Sequence, residues 1–242
     1  MIKFIVFLTK IVLTAAISLV FASCNGHVIK GSGNVTTETR NVGGDFKSID
    51  ANKGLDVELI QSAERSVTVI ADDNLQKHIK TRVENGVLII TSDINNYRNV
   101  SSKKIVVRMP EVERLEVSSA ARLISMNTIR GKDIKVKSSS GSEIEMDLEF
   151  DNTSLEASSG SSISVKGKAL KLDTESSSGS EIDADDLLAN DVKARASSGS
   201  SIDVHPLVSL DAKASSGASV DYAGRPGVVH KTGNSGGSVD AK

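Results

Sequence analysis

Serines dominate the side chains that could do chemistry in this chain of 242 residues. The sequence contains 36 serines, of which 29 fall at or after Ser101. Nucleophilic catalysis requires one serine that is activated by a base, and that base must itself be oriented. Here the serines recur in many equivalent copies, and no G-x-S-x-G nucleophile elbow is predicted. The repetition indicates structural roles for the serines, and we predict no catalytic residue.

The histidines do not suggest a metal site or a catalytic base. His27, His78, His205 and His230 are scattered through the chain without the spacing of metal ligands. His205 directly precedes Pro206, which places it in a predicted turn. We therefore interpret all four as solvated or structural residues, and we predict neither a metal nor a cofactor.

Four aspartates recur at one position of a repeat, and they are the strongest candidates for binding a cation. These residues are Asp183, Asp203, Asp221 and Asp240. Like charges about 5 Å apart on neighbouring strands repel unless a cation or a basic side chain neutralises them. However, the repeat lacks the G-G-x-G-x-D pattern of calcium-binding β-rolls. A solvated acidic face is therefore the favoured interpretation, and a cation site the alternative.

The N-terminus predicts export and lipidation. Lys3 and Lys10 precede an uncharged stretch, residues 11–22, that is too short to span a membrane as a helix of about 20 residues. The single cysteine, Cys24, follows Ala22-Ser23 and resembles the lipobox of bacterial lipoproteins. We predict a signal peptide over residues 1–23 and an acylated Cys24 that anchors the protein to the outer membrane, on its periplasmic or surface face. Ordinary secretion with a free thiol is the alternative.

Composition excludes two classes of partner. Without residues 1–23 the chain carries 27 basic and 31 acidic residues, a charge of about −4 that argues against binding nucleic acid or anionic lipid headgroups through bulk electrostatics. Aromatic residues make up 3% of the sequence, so a surface of stacked rings is not expected.

Residues 24–44 are polar and rich in glycine, which predicts a tether between the anchor and the domain.

Residues 45–110 predict a β-rich N-terminal part. Short runs such as residues 55–60 and 86–90 alternate apolar and polar side chains, as half-buried strands do. Asn85-Gly86 is typical of a tight hairpin turn. One short helix is predicted from Asp73 to Arg82, because Leu75 and Ile79 would share a face.

Residues 111–242 repeat one motif, Ser-Ser-Gly-Ser, at intervals of 18 to 21 residues. Its glycines are Gly141, Gly160, Gly179, Gly199 and Gly217, with degenerate copies around Ala120 and Gly236. A period of about 20 residues predicts a solenoid. The expected fold is all-β: a β-solenoid similar to a right-handed β-helix, with about seven rungs of about 19 residues, preceded by the N-terminal part of the same domain.

The repeat also predicts which side chains are buried. An aliphatic residue follows each glycine by three positions, for example Ile144, Ile163, Ile182 and Ile202. Positions at odd offsets share one side of a strand and are expected to line the core. Near the glycine these positions are small, as at Ser140, Ser142, Ser159, Ser161, Ala196, Ser198, Ala214 and Ser216. The glycine is expected to adopt a positive φ, and the serines to form hydrogen-bonded ladders between rungs.

The combined motifs resemble the "putative auto-transporter adhesin, head GIN domain" family. The resemblance rests on the lipobox, the segment 31–34 (GSGN), the strand at residues 54–59, the stretch Asp73-Asn74-Leu75 and the serial SSGS motifs. It covers residues 46–240 and implies a secreted or lipid-anchored β-helical protein of unknown activity, with no catalytic residues to transfer.

The leading functional hypothesis is a non-enzymatic envelope lipoprotein that presents a rigid surface to a glycan or to another envelope protein. An enzyme acting on polysaccharide is the second hypothesis, because such enzymes often have β-helical folds, although they need grouped carboxylates. The third is a structural protein that assembles into homo-oligomers through the edges of its solenoid.

Overall fold

The computed structural model describes residues 28–242. Cys24, His27 and the predicted signal peptide lie outside the described residues. The described chain forms a β-solenoid of about seven turns with one continuous hydrophobic core. No helix in this part of the chain has the length and hydrophobicity needed to cross a bilayer.

The N-terminal part contributes nine strands and one short helix to the described structure. The strands are Val28–Lys30 (β1), Val35–Arg40 (β2), Ser48–Ala51 (β3), Asp56–Gln61 (β4), Ser66–Asp72 (β5), Ile79–Glu84 (β6), Val87–Ser92 (β7), Asn96–Arg98 (β8) and Lys103–Met109 (β9). The helix, α1, covers Asp73–Gln76.

The repeat part consists of parallel coils. Its strands are Arg114–Val117 (β10), Arg122–Ser125 (β11), Ile129–Ser139 (β12), Glu143–Ser158 (β13), Ser162–Ser177 (β14), Glu181–Ser197 (β15), Ser201–Ser215 (β16), Ser219–Tyr222 (β17), Val228–Asn234 (β18) and Ser238–Ala241 (β19). From β13 to β16 each strand runs from one Ser-Gly turn to the next and bends near its middle, and the register also shifts between Ser164 and Gly167 and between Ala184 and Leu188. The bends lie at Asp151, Leu170 and Asn190, where pairing with the neighbouring coil is interrupted.

The predicted stacking of the repeats is confirmed by the strand register. Ile144 pairs with Ile163, Ile163 with Ile182, and Ile182 with Ile202. All four side chains are buried in the shared core. The aliphatic column therefore supplies the apolar burial that holds successive coils together.

Each Ser-Gly turn places two consecutive residues in the left-handed region. Ser140 has φ of 56° and Gly141 has φ of 69°, and the other SSGS copies repeat these values closely. The expected positive φ of the glycine is confirmed. The prediction that Ser140, Ser159, Ser198 and Ser216 line the core is wrong, because they are exposed turn residues. Odd and even positions alternate between the two sides only in a regular strand, and this alternation stops at a left-handed turn. Counting odd positions therefore wrongly predicts that the residue before the glycine is buried.

The serine that follows the glycine is buried in four of the turns, and in three of them it joins adjacent coils, whereas Ser180 bonds to Ser177 of its own coil. Ser142, Ser161 and Ser200 donate hydrogen bonds to the carbonyls of Val117, Ser138 and Ser176 on the preceding coil, at 2.7 to 2.8 Å. The same hydroxyl oxygen accepts a backbone N–H from its own coil, as from Ser158 to Ser161. The predicted serine ladder is confirmed, and it satisfies the buried hydroxyls without water.

The N-terminal part is built on a coil of the same stack. Strands β3 and β4 pair in parallel with β10 and β11. They are joined by a turn in which Lys53 and Gly54 have φ of 63° and 67°. The N–H of Gly54 donates to the carbonyl of Ser119 on the next coil, as the N–H of Gly141 donates to Ser159. Strands β5 to β9 intervene in sequence between this first coil and the first recognisable repeat. Of these, β7 and β9 pair in parallel with β3 and β4 and add a further layer at this end of the stack.

Two elements of the N-terminal part differ from the sequence prediction. The helix ends at Gln76, and Ile79 begins strand β6. Ile79, Thr81 and Val83 alternate with charged residues and β6 pairs with β7, so a period of two prevails over the helical spacing. Asn85-Gly86 forms the predicted hairpin turn between them, with φ of 52° and 77°.

The predicted tether is shorter than residues 24–44. Strand β1 pairs with β8, and β2 pairs antiparallel with β5 along all six of its residues. The polar side chains of β2 had suggested a linker, but they suit an exposed edge strand, because charged residues there discourage pairing with other chains.

Candidate binding groove

A long groove of about 1150 Å³ runs across the coils on the face formed by their second halves. We call it the coil groove. It is lined by residues 111–113, 130–135, 152–154, 171–173, 191–193, 209–211, 228 and 230. Seven successive coils contribute to it, and six steps of about 4.8 Å give a length of about 29 Å.

Strand register places two polar rows along this groove. In the first row Asn152, Lys171, Asp191 and Ser209 pair with one another on successive coils. The second row begins two residues later and contains Lys135, Ser154, Asp173, Lys193, Asp211 and His230. Side chains two apart on a strand point to the same side, so both rows face the groove. A regular repeat thus produces a regular array of polar groups.

Most groove carboxylates are engaged by neighbouring side chains. Asn152 donates to Asp133 at 2.6 Å, and Ser209 donates to Asp191 at 2.6 Å. Asp173 forms an ion pair of 3.0 Å with Arg195. These contacts fix the acceptors and reduce the effective negative charge of the groove.

Three lysines of the groove have no such partner. Among the described residues, Lys132, Lys171 and Lys193 form no ion pair within 4.0 Å. None of the residues that line the groove is aromatic. A ligand would therefore be recognised through hydrogen bonds and lysine charge rather than through ring stacking.

The acidic column forms as predicted. Asp183 pairs with Asp203, Asp203 with Asp221, and Asp221 with Asp240. Burial, together with the charges of Asp203 and Asp240, raises the pKa of Asp221 above its ordinary value. The column lies on the first halves of the coils and does not contribute to the groove.

A lysine neutralises part of this column. Nζ of Lys242 lies 2.6 Å from Oδ1 of Asp203 and 3.0 Å from Oδ2 of Asp185. These two carboxylates, Asp203 foremost, raise the pKa of Lys242 to about 12. Within residues 28–242 no cluster of His, Cys, Asp and Glu has the arrangement of a metal site. The basic partner considered in the sequence analysis is thus an internal side chain.

The histidines and serines do not come together. Nδ1 of His78 lies 2.6 Å from Asp93 on the surface, and Nδ1 of His205 lies 3.0 Å from the carbonyl of Asp185. His205 lies within β16 rather than in a turn. Among the described residues no hydrogen bond joins a serine hydroxyl to a histidine ring. One G-x-S-x-G string occurs, at residues 233–237, but its Ser235 is the exposed residue of a coil turn.

Sequence reasoning missed a second polar cluster, which we call the clasp: residues 31–34 bound to residues 72–74. The N–H of Ser32 donates to Asn74 at 3.1 Å, and the amide of Asn74 donates back to the carbonyl of Lys30 at 2.9 Å. Ser32 and Asn34 both donate side-chain hydrogen bonds to Asp73. The polar run Asp72-Asp73-Asn74 was a signal of a hydrogen-bonded segment, but nothing in the sequence identified residues 31–34 as its partner.

Asp72 is the buried centre of the clasp. Burial by itself would raise the pKa of this carboxyl, but the backbone N–H groups of Gly33, Ser102 and Ser101 donate to it and hold its pKa below the ordinary value. Those hydrogen bonds are 3.0, 2.9 and 3.1 Å long. The carboxylate therefore joins the N-terminal segment to the segment that leads into β9, and its role is structural.

The comparisons with known proteins agree with this architecture. The model of the family described as "putative auto-transporter adhesin, head GIN domain" matches residues 45–226. The chain belongs to that family. The match covers the first coil and the repeats together, as the continuous stack requires. A search of curated proteins finds no match.

Solved structures show the same fold. A protein described as a putative adhesin of Bacteroides fragilis is 20% identical, with a TM-score of 0.82 over 88% of this chain and 100% of that one. A putative lipid binding protein of Parabacteroides distasonis is 22% identical, with a TM-score of 0.73 over 89% and 100%. A putative adhesin of Parabacteroides merdae is 17% identical, with a TM-score of 0.67 over 89% and 99%. At these identities the likeness concerns the fold alone.

Proposed function

We propose that this protein is a lipid-anchored envelope adhesin that binds an extended glycan in the coil groove without cleaving it. The observation that carries the proposal is the pair of polar rows that face the groove, one over four coils and the other over six. Repeated hydrogen-bonding groups at the spacing of the coils suit a polymer, because each coil can contact a further part of the same chain. The adhesin family to which the chain belongs supports a binding role.

The electrostatics of the groove favour binding over catalysis. Glycoside hydrolysis requires a pair of carboxyl groups that flank the scissile bond, one of them protonated. In the coil groove Asp133, Asp173 and Asp191 accept hydrogen bonds or ion pairs from neighbouring side chains. The unpaired Lys132, Lys171 and Lys193 instead offer cations to an acidic or strongly polar glycan.

A glycan array tests this proposal with the purified lipoprotein in detergent micelles. We expect binding to a subset of extended glycans without release of products. The triple variant Lys132→Glu/Lys171→Glu/Lys193→Glu should reduce affinity about tenfold or more, because it replaces the three unpaired cations of the groove with carboxylates. Lys166→Glu is a matched control, since Lys166 is an exposed lysine on the first half of a coil.

Three outcomes would contradict the proposal. A complete absence of glycan binding would exclude the ligand class. Equal loss of affinity in the triple variant and in Lys166→Glu would exclude the coil groove as the site. Release of shortened glycans would indicate the polysaccharide-acting enzyme.

A further inference from the structure

The ribbon formed by β1 and β8 has an inner and an outer face. Ile29 of β1 pairs in register with Tyr97 of β8, and both side chains pack against the core. Residues on either side of them on each strand point the opposite way. The outer face of the ribbon is therefore formed by the pairs Val28 with Asn96 and Lys30 with Arg98.

This outer face is exposed, basic and partly apolar. The side chain of Val28 is 62% exposed, and Lys30 and Arg98 are exposed as well. Neither cation forms an ion pair with a described residue, and the neighbouring Lys53 only donates a hydrogen bond to Asn95. An apolar side chain flanked by lysine and arginine is the composition that favours contact with the surface of a lipid bilayer.

The length of the chain between Cys24 and β1 brings this face close to the proposed lipid anchor. Val28 follows Cys24 by four positions, and an extended chain spans at most about 3.5 Å per residue. The two residues can therefore be at most about 14 Å apart. The headgroup layer of a bilayer is itself about 5 to 8 Å thick.

Strand β1 is fixed to the rest of the domain by pairing and by hydrogen bonds. The ribbon joins β1 to β8, and the clasp binds the next residues to α1. The ring of Tyr97 lies close to the turn of the first coil, where a Cβ on Gly54 would be 3.7 Å from it. The ribbon is therefore firmly attached to one end of the solenoid, and no long linker separates that end from Cys24.

We propose that the outer face of the β1–β8 ribbon rests on the phosphate headgroups of the membrane, with the last coils pointing away from it. The proposal rests on the lipidation of Cys24 in the proposed function. The turn at residues 235–236 lies seven coils from the turn at residues 53–54, a distance of about 34 Å along the stack.

Fluorescence quenching by headgroup-labelled lipids tests this orientation. The lipoprotein is purified with one added cysteine, either Asn96→Cys, which leaves both cations of this face in place, or Ser235→Cys, and its anchor is verified by the mass of the lipidated Cys24 peptide. Because a lipid on the sulfur of Cys24 consumes the only native thiol, the probe labels the added cysteine alone. In vesicles of phosphatidylethanolamine and phosphatidylglycerol we expect loss of most fluorescence at position 96 and little loss at position 235.

Charge reversal tests whether Lys30 and Arg98 keep this face in contact with the membrane. With a probe on Asn96→Cys, the variant Lys30→Glu/Arg98→Glu should lose most of the quenching, whereas Lys213→Glu, a matched exposed lysine in the repeats, should not change it. Absence of quenching at position 96, or equal quenching at positions 96 and 235, would overturn the proposal. A peptide mass without acyl chains would instead refute the lipid anchor of the proposed function.

Discussion

The first coil and the serine-rich repeat coils make the same turn with different side chains. In the repeats, Ser140-Gly141 and its copies adopt two left-handed conformations, and a buried serine fills the corner behind them. In the first coil, Lys53-Gly54 adopts the same conformations, and Leu55 fills that corner. The turn therefore depends on two residues that tolerate a positive φ, and the corner can be polar or apolar.

The two regions differ more strongly in how they are held together. The repeats rely on equivalent hydrogen bonds that recur from coil to coil, each of modest strength. The N-terminal part relies on the clasp, in which the buried carboxylate of Asp72 connects segments 29 to 39 residues apart in sequence. Damage to one serine should thus be tolerated, whereas damage to Asp72 should not.

The variant Asp72→Asn should have the largest effect. Its amide presents one oxygen and an NH₂ group to three N–H donors, so at least one buried donor loses its partner. We expect the free energy of unfolding, measured with urea at pH 7, to fall by about 3 kcal/mol. A loss below that of a single serine variant in the repeats would contradict the contrast between the regions.

Acid should reduce this difference. Because the folded state lowers the pKa of Asp72, the contribution of its charge to stability is complete above the ordinary carboxyl pKa of about 3.9 and is lost as the pH falls through the folded-state value. The unfolding free energies of wild type and Asp72→Asn should therefore move closer together below about pH 4. A difference that does not depend on pH would show that the charge of Asp72 is irrelevant.

Substitutions of glycine by alanine should have the next largest effect on stability, and that effect should differ between the two regions. A Cβ on Gly31 would lie 2.3 Å from Oδ2 of Asp72 and 2.7 Å from the Cα of Val100, so Gly31→Ala must displace the clasp. A Cβ on Gly141 would meet nothing within 4 Å, which leaves only the positive φ as a cost. We expect losses of about 2 to 3 kcal/mol for Gly31→Ala and about 1 kcal/mol for Gly141→Ala, by thermal and urea unfolding. The reverse order would contradict this prediction.

A single corner serine should contribute less. Ser161→Ala removes the bond to Ser138 and should lower the unfolding free energy by about 1 kcal/mol. Ala157→Ser is the matched control: the equivalent Ser176 bonds to the carbonyl of Ser180, so the added hydroxyl has a partner and the change should stay within about 0.5 kcal/mol. If Ala157→Ser lowered the free energy of unfolding more than Ser161→Ala did, the corners of successive coils would not be equivalent.

The acidic column should give the smallest effect. Since burial and the charges of Asp203 and Asp240 raise the pKa of Asp221, its ionised form costs stability at neutral pH. Asp221→Asn should therefore stabilise the protein at pH 7 by less than about 0.5 kcal/mol, an amount reduced by solvent screening because the group is largely solvated. The gain should disappear below the ordinary carboxyl pKa, and a loss of stability at pH 7 would contradict the assignment.

The repeats could be predicted from sequence because one local pattern specifies each coil. The spacing of the Ser-Gly pairs gave the stack, and the aliphatic column from Ile144 to Ile202 gave its core. The first coil was missed because its turn uses Lys53-Gly54 and strands β5 to β9 separate it in sequence from the repeats. The apolar residues Ile49 and Val57, five before and three after Gly54, were the signal that could have identified it.

The clasp and the groove were harder to predict for a different reason. The clasp depends on pairing between residues 31–34 and 72–74, and no local pattern reports a contact over that distance. The two rows of the coil groove were recognised as solvent-facing columns of mixed charge, but the groove they line follows from the bends at Asp151, Leu170 and Asn190. The three bend positions have different residue types, so no shared residue marks the bends in the sequence.

Native-state hydrogen exchange of the first coil tests most directly whether the N-terminal part and the repeats form one continuous stack. If they do, peptides covering Asp56–Gln61 and Arg122–Ser125 should open together, with opening free energies that agree within about 1 kcal/mol. The amide of Gly54 should be protected by its bond to Ser119. Rapid exchange throughout the first coil, while the repeat coils stay protected, would contradict the continuous stack.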